Sequence, residues 1–125
     1  MNYRAITISG KICTGKSSLF SVLVKKLVWQ SFSVSQFFRD WSQKRKLPLF
    51  AAHLRPESLT RKIDEGVREK LLKEKKIIIE GWLAGFMAQG IPGVLKVLLV
   101  APLEVRVSRF MKRERVGERE AKALI

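Results

Sequence analysis

Covalent and metal-based stabilisation have almost nothing to work with here, because the chain has a single cysteine, Cys13, and a single histidine, His53. One thiol closes no intramolecular disulfide, and one imidazole without a Cys/His cluster builds no zinc site. Carboxylates are scarce as well: 11 Asp and Glu face 25 Lys and Arg, a net charge of +14. That imbalance disfavours cationic ligands and favours polyanions such as nucleotide phosphates, nucleic acid or an anionic membrane surface, among which charge alone does not choose. Long hydrophobic runs are also missing. Charges interrupt every apolar stretch before the roughly 18 residues that a bilayer span needs, and no secretory leader is visible. With a lone thiol and no span, the expectation is a monomer in a reducing cytoplasm, away from membranes.

What is present suits one domain, since the 125 residues are 46% hydrophobic and domains are commonly about 100 to 150 residues long. Residues 4 to 9 form a β-prone run that stops at Gly10, and from Lys16 to Val28 the residues Leu19, Phe20, Leu23, Val24 and Leu27 recur at helical spacing. Residues 32 to 34 suit a short strand, and a basic, aromatic helix is expected from about Ser35 to Lys46, ended by Pro48. After Arg55-Pro56, the spacing of Leu59, Ile63, Val67 and Leu71 gives another amphipathic helix. The β-branched triplet Ile77-Ile78-Ile79 reads as a strand buried on both faces, carrying Glu80 at its carboxyl end. Val94 to Val100 suits a further strand, and Leu103, Val107, Phe110 and Met111 mark a helix running to Arg115, followed by a polar, helical tail. This alternation implies a mostly parallel sheet covered by helices on both faces.

Between the first strand and the first helix lies Gly10-Lys11-Ile12-Cys13-Thr14-Gly15-Lys16-Ser17, a full match to G-x-x-x-x-G-K-[ST] in the context its mechanism needs. Glycines let successive backbone N–H groups turn inward as an anion nest at a helix N-terminus. In such a P-loop, Gly10 to Ser18 cradle the phosphates of ATP, Lys16 reaches the β- and γ-phosphates, and the Ser17 hydroxyl serves Mg²⁺. Cys13 reads as a tolerated small residue rather than a redox sensor.

Taken together and in order, ITISGKICTGKS, FSVSQFFRDW, KIDEGVREKL, IIIEGWLAG and VLLVAPLEVRVSRFMKRE resemble the cytidylate kinase family, particularly its shorter archaeal-like branch. The resemblance implies a P-loop NTPase fold of the nucleoside monophosphate kinase kind, a three-layer α/β/α sandwich that is C-terminally incomplete in this chain. It implies one kinase domain, with a core over 1–34 and 76–115, a monophosphate-binding helical region over about 35–75, and the start of a lid at 113–125. It also implies transfer of the terminal phosphoryl group of ATP to CMP or dCMP with Mg²⁺.

By that resemblance Arg39 grips the acceptor monophosphate, Asp64 faces its base or ribose, Glu80 lies near the Mg²⁺ shell, and Arg109 and Arg113 clamp the transferring group. Each has a plainer reading, as a solvated helix residue or, for Glu80, a structural carboxylate. The family motif has Glu/Asp-Gly-Arg where this chain has Glu80-Gly81-Trp82, so one expected phosphate-contacting arginine is replaced by an indole that either stacks on a base or packs in the core. The acceptor is thereby left open to AMP, another nucleotide or a small metabolite. A basic ATP- or nucleic-acid-binding module without kinase turnover is a further alternative, suggested by the +14 charge and by aromatics interleaved with bases from Trp29 to Arg45. It is disfavoured because Phe37, Phe38 and Trp41 recur at helical spacing.

Overall fold

In the computed structural model, residues 2–48 and 54–125 are described. His53 lies outside them. The order is β1 (Ala5–Ser9), α1 (Lys16–Leu27), β2 (Gln30–Ser33), α2 (Val34–Lys44), α3 (Glu57–Lys73), β3 (Ile77–Glu80), α4 (Ala84–Met87), β4 (Val94–Leu98), α5 (Leu103–Glu114) and α6 (Glu118–Leu124). Among the described residues no helix is long and apolar enough to cross a membrane.

The four strands form one sheet in the order β2-β3-β1-β4, and every pairing is parallel. Side chains alternate across a strand, so β1 and β3 each feed two cores. Ile6, Ile8 and Ile78 pack beneath Leu19, Phe20, Leu23 and Val24 of α1. Ala5, Ile77 and Ile79 meet Val67 and Leu71 of α3 and Ala84 of α4 on the other face. The sequence therefore reads as a continuous apolar run because no face of β3 is left to water. Truncating a buried Leu or Ile in such a core to Ala costs about 2–5 kcal/mol.

Several boundaries differ from expectation. β2 begins at Gln30 and ends at Ser33, because the Ser33 hydroxyl accepts from the Gln36 N–H at 3.0 Å and starts α2 there. β4 stops at Leu98 rather than Val100. α4, a single turn after β3, lacked any periodic signal. Leu103 is 54% exposed and takes no part in the core, since it lies in the first turn of α5, behind Pro102. The buried positions of α5 are instead Arg106, Val107 and Phe110. The polar tail is helical, and α6 packs Ala121 against Val107 and Phe110.

Candidate functional site

β1 and β3 are neighbours, yet the helices that follow them, α1 and α4, lie on opposite faces of the sheet. A crevice opens outside the carboxyl ends of strands where that happens. Here it is a cavity of about 970 Å³, lined on one side by the loop after β1 and on the other by α2, α3 and the turn after β3.

The loop is shaped by two glycines and by what its carbonyls touch. A Cβ on Gly10 would lie 2.6 Å from Thr14 Oγ1 and 2.7 Å from the Leu99 carbonyl, so no side chain fits there. Gly15, at φ 102°, starts α1 with no side-chain cap, leaving the first N–H groups of the helix free for an external acceptor. Thr14 Oγ1 and Lys16 Nζ both donate to the Lys11 carbonyl, at 2.8 and 2.9 Å. Lys16 is only 7% exposed. Burial lowers its pKa; Glu80 and Cys13 oppose that shift, while Arg113 and Arg39 reinforce it. Such a partly desolvated ammonium gains from an arriving polyanion.

Glu80 is fully buried at the end of β3, and its two carboxylate oxygens accept from Ser33 Oγ at 2.5 Å and Ser35 Oγ at 2.7 Å. Sequence reasoning missed those serines, although the register opposes Ser33 to Glu80. They orient the carboxylate at the floor of the cavity. Among the described residues, no three of His, Cys, Asp and Glu come together to form a metal cage.

The other expected positions also converge. Arg39, Asp64, Trp82, Arg109 and Arg113 line the same cavity as Ile12, Cys13, Gly15, Lys16, Ser17 and Ser18, whereas Gly10, Lys11 and Thr14 do not reach its wall. Trp82 is 54% exposed, so it is not a core residue. Burial raises the Asp64 carboxyl above the usual range. The arginines of α5 are engaged: Arg109 Nη1 donates to the Cys13 carbonyl at 3.0 Å, and Arg113 Nε to Glu114 Oε1 at 2.8 Å.

Two arginines escaped the sequence reading. Arg106 was not singled out, yet it is 7% exposed, with Nε donating to the Ile12 carbonyl at 2.9 Å. Its place beside Val107 and one turn before Phe110 was the available signal. Arg55 also lines the cavity, its guanidinium 4.3 Å over the Phe38 ring and its pKa lowered by burial. It follows no periodic pattern, and nothing in the sequence marks it.

A sequence model of the cytidylate kinase-like family matches residues 16–125. The chain belongs to that family. A cytidylate kinase of Methanosarcina barkeri is 34% identical to this family member over 113 residues, which cover 88% of the chain and 63% of the relative. One from Saccharolobus islandicus is 30% identical over 119 residues, covering 93% of the chain and 62% of the relative. The chain thus spans less than two thirds of the length of the curated relatives it matches. A gluconokinase from Sinorhizobium meliloti 1021 superposes with a TM-score of 0.66 at 12% identity, over 99% of this chain and 74% of that one. This likeness is one of fold, and the fold is that of a P-loop kinase.

Proposed function

We propose that this chain carries the phosphate-gripping and acceptor-binding machinery of a kinase that moves the γ-phosphoryl group of ATP to CMP or dCMP. The observation that carries the reading is the single cavity joining the loop at residues 12–18 to Arg39, Asp64 and Trp82. Donor and acceptor then share one space, as direct transfer requires.

In this reading the uncapped start of α1 and the N–H groups of the loop take the donor phosphates. Lys16 exchanges the Lys11 carbonyl for a phosphate oxygen. Arg39 grips the acceptor phosphate in a bidentate fork, and Asp64 accepts from the acceptor's base or ribose. Arg109 and Arg113 offset charge on the group in flight, the part of phosphoryl transfer that side chains chiefly supply. Mg²⁺ fits the donor set, with the exposed Ser17 hydroxyl near the donor phosphates and Glu80 oriented by two serines, and when bound it neutralises charge between the β- and γ-phosphates. The region over 35–75 is the acceptor-binding part, and 113–125 begins the lid.

Trp82 favours a second reading within the same chemistry. An exposed indole facing the cavity, where the family places an arginine, trades a phosphate grip for a flat apolar surface and so opens the site to a different acceptor. A nucleic-acid module has less support, because Trp29 packs under α1, Phe38 is buried and Arg45 covers Trp41 at 4.3 Å.

The test is Mg²⁺-dependent ATP consumption with CMP, dCMP, UMP, AMP and GMP, resolving diphosphate products. CDP or dCDP is expected, with a loss on the order of a hundredfold or more in Lys16→Ala. Diphosphate formed from another monophosphate instead would support the second reading. Wild-type protein that binds ATP but forms no diphosphate with any of them would overturn the kinase proposal.

A further inference from the structure

A peptide unit is planar and trans, so its C=O and N–H point in opposite directions. Fixing one fixes the other. In the loop after β1, three successive carbonyls are held: Lys11 O by Thr14 Oγ1 and Lys16 Nζ, Ile12 O by Arg106 Nε, and Cys13 O by Arg109 Nη1. The N–H groups of these peptides belong to Ile12, Cys13 and Thr14, and none donates to an acceptor among the described residues. Two of the three carbonyls are thus set by a neighbouring helix. The loop needs that help, because Cys13 holds φ 63°, a left-handed conformation that costs a non-glycine residue about 1–2 kcal/mol.

We propose that Arg106 is a positioning residue for the phosphate loop: from α5 it holds the Ile12 carbonyl outward and so presents the Cys13 N–H to the donor's phosphates. Arg106 is absent from the cavity wall, which separates it from residues that touch substrate. Its environment also argues against a purely packing role. The side chain is buried, and Nη2 has no hydrogen-bond partner, an arrangement that gives up stability relative to an apolar residue of similar size. A guanidinium in such a place is explained by the one directed bond it makes to the loop. Arg109, one turn along the same face, holds the next peptide in the same sense. Together the two arginines make α5 a splint for the nest.

This inference rests on reading the loop as the donor-phosphate site, and the experiment separates the two. Binding of tripolyphosphate and, separately, of CMP is measured by titration calorimetry for wild type, Arg106→Met and Arg106→Lys, with the exposed neighbour Lys112→Met as a control for lost charge. Arg106→Met is expected to weaken tripolyphosphate by about tenfold, the worth of one hydrogen bond to a charged group, while CMP affinity stays within about twofold. Arg106→Lys, which keeps charge and stem without the planar fork, is expected to fall between Met and wild type. Lys112→Met is expected to behave as wild type. Wild-type tripolyphosphate affinity in Arg106→Met overturns the proposal, and so does a parallel loss of CMP, which marks a general structural role. If Arg106→Met does not fold, Arg106→Lys decides: weakened tripolyphosphate with unchanged CMP supports the splint, and wild-type binding of both refutes it. A wild-type chain that binds neither tripolyphosphate nor ATP sinks the phosphate-site reading itself, and this inference with it.

Discussion

Lys16 sits where burial and charge pull in opposite directions. Desolvation holds its pKa below the ordinary 10.5, so over the interval from the lowered value up to 10.5 the unfolded chain binds more protons than the folded one. Its contribution to stability therefore rises with pH across that window. A bound polyphosphate reverses the shift by supplying a counter-charge. Nucleotide binding is accordingly expected to take up a proton at alkaline pH, seen as a binding enthalpy that changes with the ionisation enthalpy of the buffer. A buffer-independent enthalpy across that range would place Lys16 away from the phosphates. The place of Lys16 beside the loop after β1 was legible because its motif has fixed spacing, whereas its bond to Lys11 O was not, since it depends on the folded shape of the loop. Arg106 gives the opposite lesson: no motif marks it, and only its position on the Val107–Phe110 face pointed inward.

Among the elements, α2 and the turn after β3 meet at a contact with no slack. A Cβ on Gly81 would lie 2.9 Å from Val34 Cβ and Cγ2, so α2 approaches closely only because residue 81 has no side chain. Gly81→Ala is expected to destabilise the protein by about 1–3 kcal/mol through overpacking. Val34→Ala in the same background should recover part of that loss, a positive coupling in a denaturation double-mutant cycle; additive effects would mean that the strain lies elsewhere. The elements that sequence read well are those with an internal pattern: the triplet of β3, the apolar stripe of α1, and the four-residue spacing of α3. Those it misread depend on partners. β2 ends where Ser33 caps α2, and α4 is one turn too short to carry a period. Arg39, Asp64 and Trp82 were nameable as site residues only through family resemblance, and their meeting in one cavity is a product of the parallel sheet.

For the molecule as a whole, the +14 charge and the cationic cavity make anions the natural stabilising ligands. ATP at about 100 times its dissociation constant should add about 2.7 kcal/mol to the folded state. That gain should appear as a higher melting temperature in wild type and be largely missing in Lys16→Ala. An equal rise in both proteins would mean that the anion is held by general surface charge rather than by the loop.

The strand order carries one more consequence, for how the protein comes to exist. β1 precedes both of its neighbours in the chain, β3 and β4, whose residues 77–80 and 94–98 leave the ribosome well after it. The loop after β1 therefore hangs from a strand that has neither of its sheet partners until β3 has been translated. Nucleotide cannot template the early steps of folding, and the long-range closure that brings residues 5 and 94 together has to bear its entropy cost before the binding site can repay any of it.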